Sequence, residues 1–236
     1  TAEAKGFTEN QIMPILQPIT IDAHPLGNPW LNYSVYLNNI LMPGILQLII
    51  LMFTVSCFGS EIKAGSGRNL MAMGDNSILK VIVGKLLPYT IIYTGIAFFF
   101  ISIFYYINKF PLHSGFWPMF LNYLCLILAA QGMGVILLGI FRNYRLSLSI
   151  ASLIGMVSFS ITGFSFSTLA MDGSLSALSN FFPLRHFFLI YVDQALNGIP
   201  VGYSMYQYAA LLAFVLLATF FFGVIRKMLT DNIYEE

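Results

Sequence analysis

Charge is what this chain has least of. Asp, Glu, Lys and Arg make up 9% of its 236 residues, where an ordinary globular domain carries about 25%. Hydrophobic residues make up 58%. A water-soluble fold could not cover that much apolar surface, so lipid is the solvent for most of the chain. The net charge of +1 gives nucleic acid nothing to grip. Cysteine is nearly absent. Cys57 and Cys125 both fall in apolar runs and read as small buried hydrophobes, with no spacing for a disulfide framework or a metal. His24, His113 and His186 lie far apart along the sequence.

The motifs of several enzyme classes are missing as well. There is no GxxxxGK[ST] phosphate loop, so the chain cannot hold ATP by that device. Neither HExxH nor GxSxG occurs. Ala72-Met73-Gly74-Asp75 approaches the GxGD of intramembrane aspartyl proteases. Its first glycine is replaced by Ala72, and no second aspartate lies in a span to share a proton. No Asp, Glu, Lys or Arg sits deep in a long apolar run, where an ion-coupled pump keeps its switch. The expectation is a protein without catalytic, cofactor or metal sites of its own, whose energy comes from outside the membrane.

Long apolar runs are what is present. Tyr36–Phe58, Leu86–Ile107, Phe116–Phe141, Leu146–Met171 and Met205–Ile225 each provide the roughly 20 residues that a helix needs to cross a core of about 30 Å. The fold class is therefore all-α and polytopic. Pro43 is expected to kink the first span without ending it, and Pro88 to lie at the start of the second. Tyr105, Tyr106, Phe110, Phe116 and Trp117 suit a water–lipid boundary, as do Trp30, Tyr33 and Tyr36.

Residues 172–203 differ. Two apolar pieces, Leu175–Phe182 and Leu184–Leu196, meet at Pro183, and each is too short to cross alone. A re-entrant or interfacial helix pair follows, with Pro183 at a first helical position and Arg185, His186 and Asp193 facing polar surroundings. Thr1–Tyr33 reads as a polar opening with room for a short strand. The tail from Met228 reads as short, polar and frayed.

Gln47, Asn122 and Gln131 are large uncharged polar residues inside the spans. They either bond between helices or line a substrate route. The fourth span is rich in hydroxyls, Ser152, Ser158 and Thr162 among them. Its Ser147, Ala151 and Gly155 recur every four residues, a small-residue stripe for close helix packing or for lining a route. Ala130 and Gly134 share a face of the third span in the same way.

Residues 60–88 form a polar hinge between the first two spans. It holds Lys63, Arg68, Lys80 and Lys85 with Glu61 and Asp75. Gly65-Ser66-Gly67 should break the helix, and Arg68–Met73 should form a short helical piece. Gly74–Ser77 should turn with Ser77 as N-cap, and Ile78–Leu87 should make an interfacial helix. Lys63, Arg68, Lys80, Lys85, Arg142, Arg145, Arg226 and Lys227 fall on one side of the membrane. Lys5, Lys109 and Arg185 fall on the other. The first side is expected to be cytoplasmic, with the N-terminal segment outside and the C-terminus inside. With no signal to export that segment, an earlier span is expected in the native protein.

Four stretches resemble a known family in order and spacing: Asn28-Pro29-Trp30-Leu31-Asn32-Tyr33 followed by Met42-Pro43-Gly44; Glu61-Ile62-Lys63-Ala64-Gly65-Ser66; Gly84-Lys85-Leu86-Leu87-Pro88-Tyr89; and Phe182-Pro183-Leu184-Arg185-His186-Phe187. They are similar to the permease subunit of type-2 ATP-binding-cassette exporters. In the second stretch, Ser66 stands where the family's E-x-x-x-G-T loop has Thr. The resemblance implies six spans in the native protein, with residues 1–35 the end of an external domain and 36–236 the permease domain. It implies a second permease protomer, homologous or identical, and separate ATPase subunits that carry ATP and Mg. The coupling element would then comprise Glu61, Lys63, Gly65, Ser66, Arg68, Lys80 and Lys85, with Glu61, Lys63 and Arg68 as the main partner contacts. A hydrophobic or amphipathic substrate, membrane lipid and a periplasmic adaptor complete the expected company, in a bacterial inner membrane. A lipid-modifying membrane enzyme and a non-transporting anchor are the rival readings.

Overall fold

The computed structural model describes residues 33–162 and 172–231. The N-terminal opening, with its expected strand, lies almost wholly outside them, as do residues 163–171 at the end of the fourth apolar run. Among the described residues there is no strand. Helix α1 (Tyr33–Ala64) is followed by the short α2 (Gly67–Met73) and by α3 (Ile78–Ile101), which continues as a π turn over Ser102–Ile107. Then come α4 (Phe116–Phe141), α5 (Tyr144–Ile161), α6 (Gly173–Ser179) and α7 (Pro183–Tyr191) with a π turn over Val192–Leu196. A 3₁₀ turn (Val201–Ser204) leads into α8 (Met205–Phe220), and α9 (Phe222–Asp231) follows a break at Phe221.

Among the described residues, five helical stretches are long and apolar enough to cross a membrane: Leu37–Ala64, Ile78–Ile107, Phe116–Phe141, Tyr144–Ile161 and Val201–Asp231. The all-α polytopic expectation stands, and α6 and α7 form the short pair before the last span. The axis of the bundle is α4, 72% of whose apolar window is buried against 17% for α3. Around it pack α1, α3, α5, α7 and α8, with α5 lying along α1.

Backbones meet closely where side chains are smallest, because in lipid dispersion contacts replace the hydrophobic drive. A Cβ on Gly134 would stand 2.8 Å from Thr54 Cβ, and one on Gly132 2.7 Å from Phe214 O. Ser147, Ala151 and Gly155 are all buried. A Cβ on Gly155 would fall 2.3 Å from Leu48 Cδ1, so the stripe serves the α1–α5 crossing.

Several boundaries differ from expectation. Pro43 is inside α1, as foreseen, but Pro88 is inside α3 and does not start it. The supposed interfacial helix and the second span are one helix from Ile78. An interior proline removes one backbone donor and crowds the carbonyl four residues back, the common cause of a bend in a long helix that nonetheless continues. Ser77 precedes α3 but its side chain makes no capping bond. The tail is helical to Asp231, with Met228 and Leu229 buried.

Candidate functional site

The hinge folds as a bracket at one end of the bundle. Gly65, at φ 70°, ends α1 in the left-handed conformation that glycine adopts most readily. The chain folds back so that Ser66 N–H donates to Glu61 O at 3.1 Å and Ser66 Oγ donates to Glu61 Oε2. The other carboxylate oxygen, Oε1, accepts from Lys85 Nζ at 2.5 Å. Lys85 also donates to Cys57 O at 2.8 Å. Glu61 thus ties the end of α1 to the start of α3. The two side chains are 28% and 21% exposed, so water screens the pair only in part.

Helix α2 is held from its other flank by α9. A Cβ on Gly67 would meet Leu229 O at 2.4 Å, so only glycine allows that approach. Arg68 Nε donates to Thr230 O at 2.7 Å, satisfying a carbonyl in the last turn of α9. Met71 is buried beneath α2, while Met73 is 85% exposed and Leu79 is exposed as well. Asp75 and Asn76 make the intervening turn at φ 52° and 57°, a conformation to which short polar side chains are best suited. Lys80 pairs with Asp75 at 2.6 Å on the open surface.

The expected coupling residues therefore divide. Glu61, Ser66 and Lys85 come together in an internal network, with Gly65 as its hinge. Arg68 reaches to α9. Lys63 is exposed. Lys63, Met73, Leu79 and the Asp75–Lys80 pair are the exposed groups of the hinge to which a partner has access. Met73 and Leu79 were not singled out by the sequence, although two apolar side chains inside a polar stretch were the available signal.

Within the spans, Gln47 Nε2 donates to Ser158 Oγ at 3.2 Å, joining α1 to α5. Asn122 Nδ2 donates to Phe187 O at 3.1 Å, joining α4 to α7. Thr90 Oγ1 donates to Gln131 Oε1 at 3.0 Å, joining α3 to α4. Each of the three amides cross-links helices. Of the hydroxyls, Ser158 meets Gln47, while Ser152 bonds back to Ser149 O at 2.8 Å within its own helix. The buried Thr162 presents its carbonyl to Arg185 Nη1 at 2.8 Å.

Pro183 opens α7 at its first turn, as expected. Arg185 and His186 are buried, at 9% and 2% exposure, and their polar surroundings are protein groups. His186 Nε2 lies 3.0 Å from Asn180 O and Nδ1 lies 2.6 Å from Gln207 Oε1. The ring pins α7 both to α8, through the Gln207 side-chain amide, and to the preceding turn, through the Asn180 carbonyl. Asp193 accepts from Ser204 Oγ at 3.2 Å at the same end of the bundle.

A family model described as "ABC-2 family transporter protein" matches residues 4–225. No curated protein and no solved structure matches the chain.

Proposed function

The chain belongs to the ABC-2 transporter family, and from that premise we propose that it is the transmembrane subunit of an ATP-driven exporter, worked through its hinge by a separate ATPase subunit. A hydrophobic or amphipathic substrate would leave the cytoplasm or the inner leaflet as a pair of permease protomers changes shape. ATP and Mg belong to the ATPase.

The observation that carries this reading is the construction of α2. A surface loop with no task needs no anchorage, yet α2 is fixed on one flank by the Gly67–Leu229 backbone approach and on the other by the Glu61–Lys85 pair at its root. A push on its exposed face would pass to α1, α3 and α9 together. Of these, α1 and α3 are among the long apolar helices, and α9 continues α8. The basic residues gathered at this end favour the cytoplasmic side, where an ATPase would meet it.

The test is hydrolysis by the complex. With the permease and its ATPase reconstituted in lipid, added substrate should stimulate ATP turnover. Met73→Asp should remove most of that stimulation while leaving insertion and expression intact. Full stimulation in the variant would overturn the assignment of this face.

A further inference from the structure

A cleft of about 240 Å³ opens on the flank of the bundle between α3, α4 and α8. Val83, Leu87, Val135 and Val215 contribute to its apolar wall, and Thr90 and Gln131 are the polar side chains at it. Val83 and Leu87 are half exposed, so the mouth opens toward lipid. Drug-sized ligands occupy pockets of about 300–1,000 Å³, so this one suits a single slender chain. Thr90 lies five residues beyond Lys85 on α3, about 7.5 Å deeper at 1.5 Å per residue.

Gln131 is 4% exposed and its amide is only half used. Thr90 has one hydroxyl proton and two acceptors, Leu86 O at 2.9 Å and Gln131 Oε1 at 3.0 Å. Gln131 Nε2 has no partner among the described residues. A few other buried polar atoms also lack partners there, Gln47 Oε1 and Asn122 Oδ1 among them, but Gln131 is the one that lines the cleft. An amide end left open in a hydrocarbon setting is costly, and a ligand can close it.

We propose that this cleft binds an uncharged, single-chain amphiphile from the bilayer, with its hydroxyl or carbonyl on the Gln131 amide and its chain between α3, α4 and α8. A hydroxyl both donates and accepts, so it fits the amide whichever end is presented. The inference rests on membrane embedding and needs neither ATP nor the hinge. Its failure would leave the exporter reading standing, and the converse also holds.

The test uses the permease in lipid nanodiscs without nucleotide and a twelve-carbon alcohol carrying a diazirine as photoprobe. Labelling should map to α3, α4 or α8 beside the cleft. Competition by 1-dodecanol should exceed that by dodecane roughly tenfold, the discrimination that one buried hydrogen bond provides. Gln131→Leu should erase that difference, and Val83→Trp, which fills the mouth from an exposed position, should lower labelling at least about fivefold. Equal competition by the alcohol and the alkane in the parent protein would overturn the proposal. So would a difference that survives in Gln131→Leu, or labelling unchanged in Val83→Trp.

Discussion

Glu61 spends both carboxylate oxygens inside the chain, one on Lys85 and one on Ser66. Its removal should therefore loosen the bracket before it affects any partner. Glu61→Lys places two ammonium groups together and should lower stability by about 1–3 kcal/mol, read as a lower melting temperature in mild detergent. Lys85→Glu should do the same, and the double exchange Glu61→Lys with Lys85→Glu should recover most of the loss. A double exchange no better than either single change would show that the pair is not what holds α1 to α3. At this scale the sequence shows which residues are polar but not whom they meet. Arg185 and His186 read as facing polar surroundings, but the sequence does not show which ones, because Thr162 and Gln207 lie more than twenty residues away. Gln47, Asn122 and Gln131 were legible as helix cross-links because a buried amide in lipid has few alternatives.

Helices in lipid are sorted by how closely their backbones can approach, and the glycines divide accordingly. Gly132 lies against the backbone of α8. Gly132→Ala should force α4 and α8 apart and cost about 1–3 kcal/mol. Gly95 has nothing within 4 Å of its missing Cβ. Gly95→Ala should be neutral or raise stability by about 0.5–1 kcal/mol through helix propensity. Thermal unfolding of the two variants side by side checks the contrast, and equal effects would count against it. The apolar runs made the long helices easy to find, since length and composition are local properties. The ends were harder. The last turns of α9 were missed because Met228 and Leu229 are only two apolar residues in a polar tail and are buried against α2 from far along the chain. Helix α3 was divided in two because the sequence places a proline at the joint.

On the whole molecule, Ile91, Phe99, Leu153, Met156, Leu216 and Phe220 are all at least 59% exposed. A soluble monomer rarely carries so much open apolar surface; a bilayer covers it. The distribution of Lys and Arg is the ground for the proposed orientation, with the hinge end cytoplasmic. A cysteine introduced at His113 should react with a membrane-impermeant maleimide in intact cells. One at Lys63 should react only after permeabilisation. Reaction of Lys63→Cys from outside would invert the topology. Native Cys57 and Cys125 are buried and should contribute little background. How the spans pack was not readable from the sequence. All of them are apolar, and the choice of neighbour depends on small-residue faces that several spans share.

The account rests on the hinge end being the place where another protein pushes. Its most direct test is a photoreactive amino acid placed at Met73 in the complete protein, irradiated in living cells, with the adduct identified by mass spectrometry. The prediction is a cross-link to an ATPase subunit, lost when Gly67→Leu lifts α2 from α9. An ATPase cross-link obtained equally well with α2 unseated, or no ATPase adduct from an efficiently expressed and inserted protein, would contradict it.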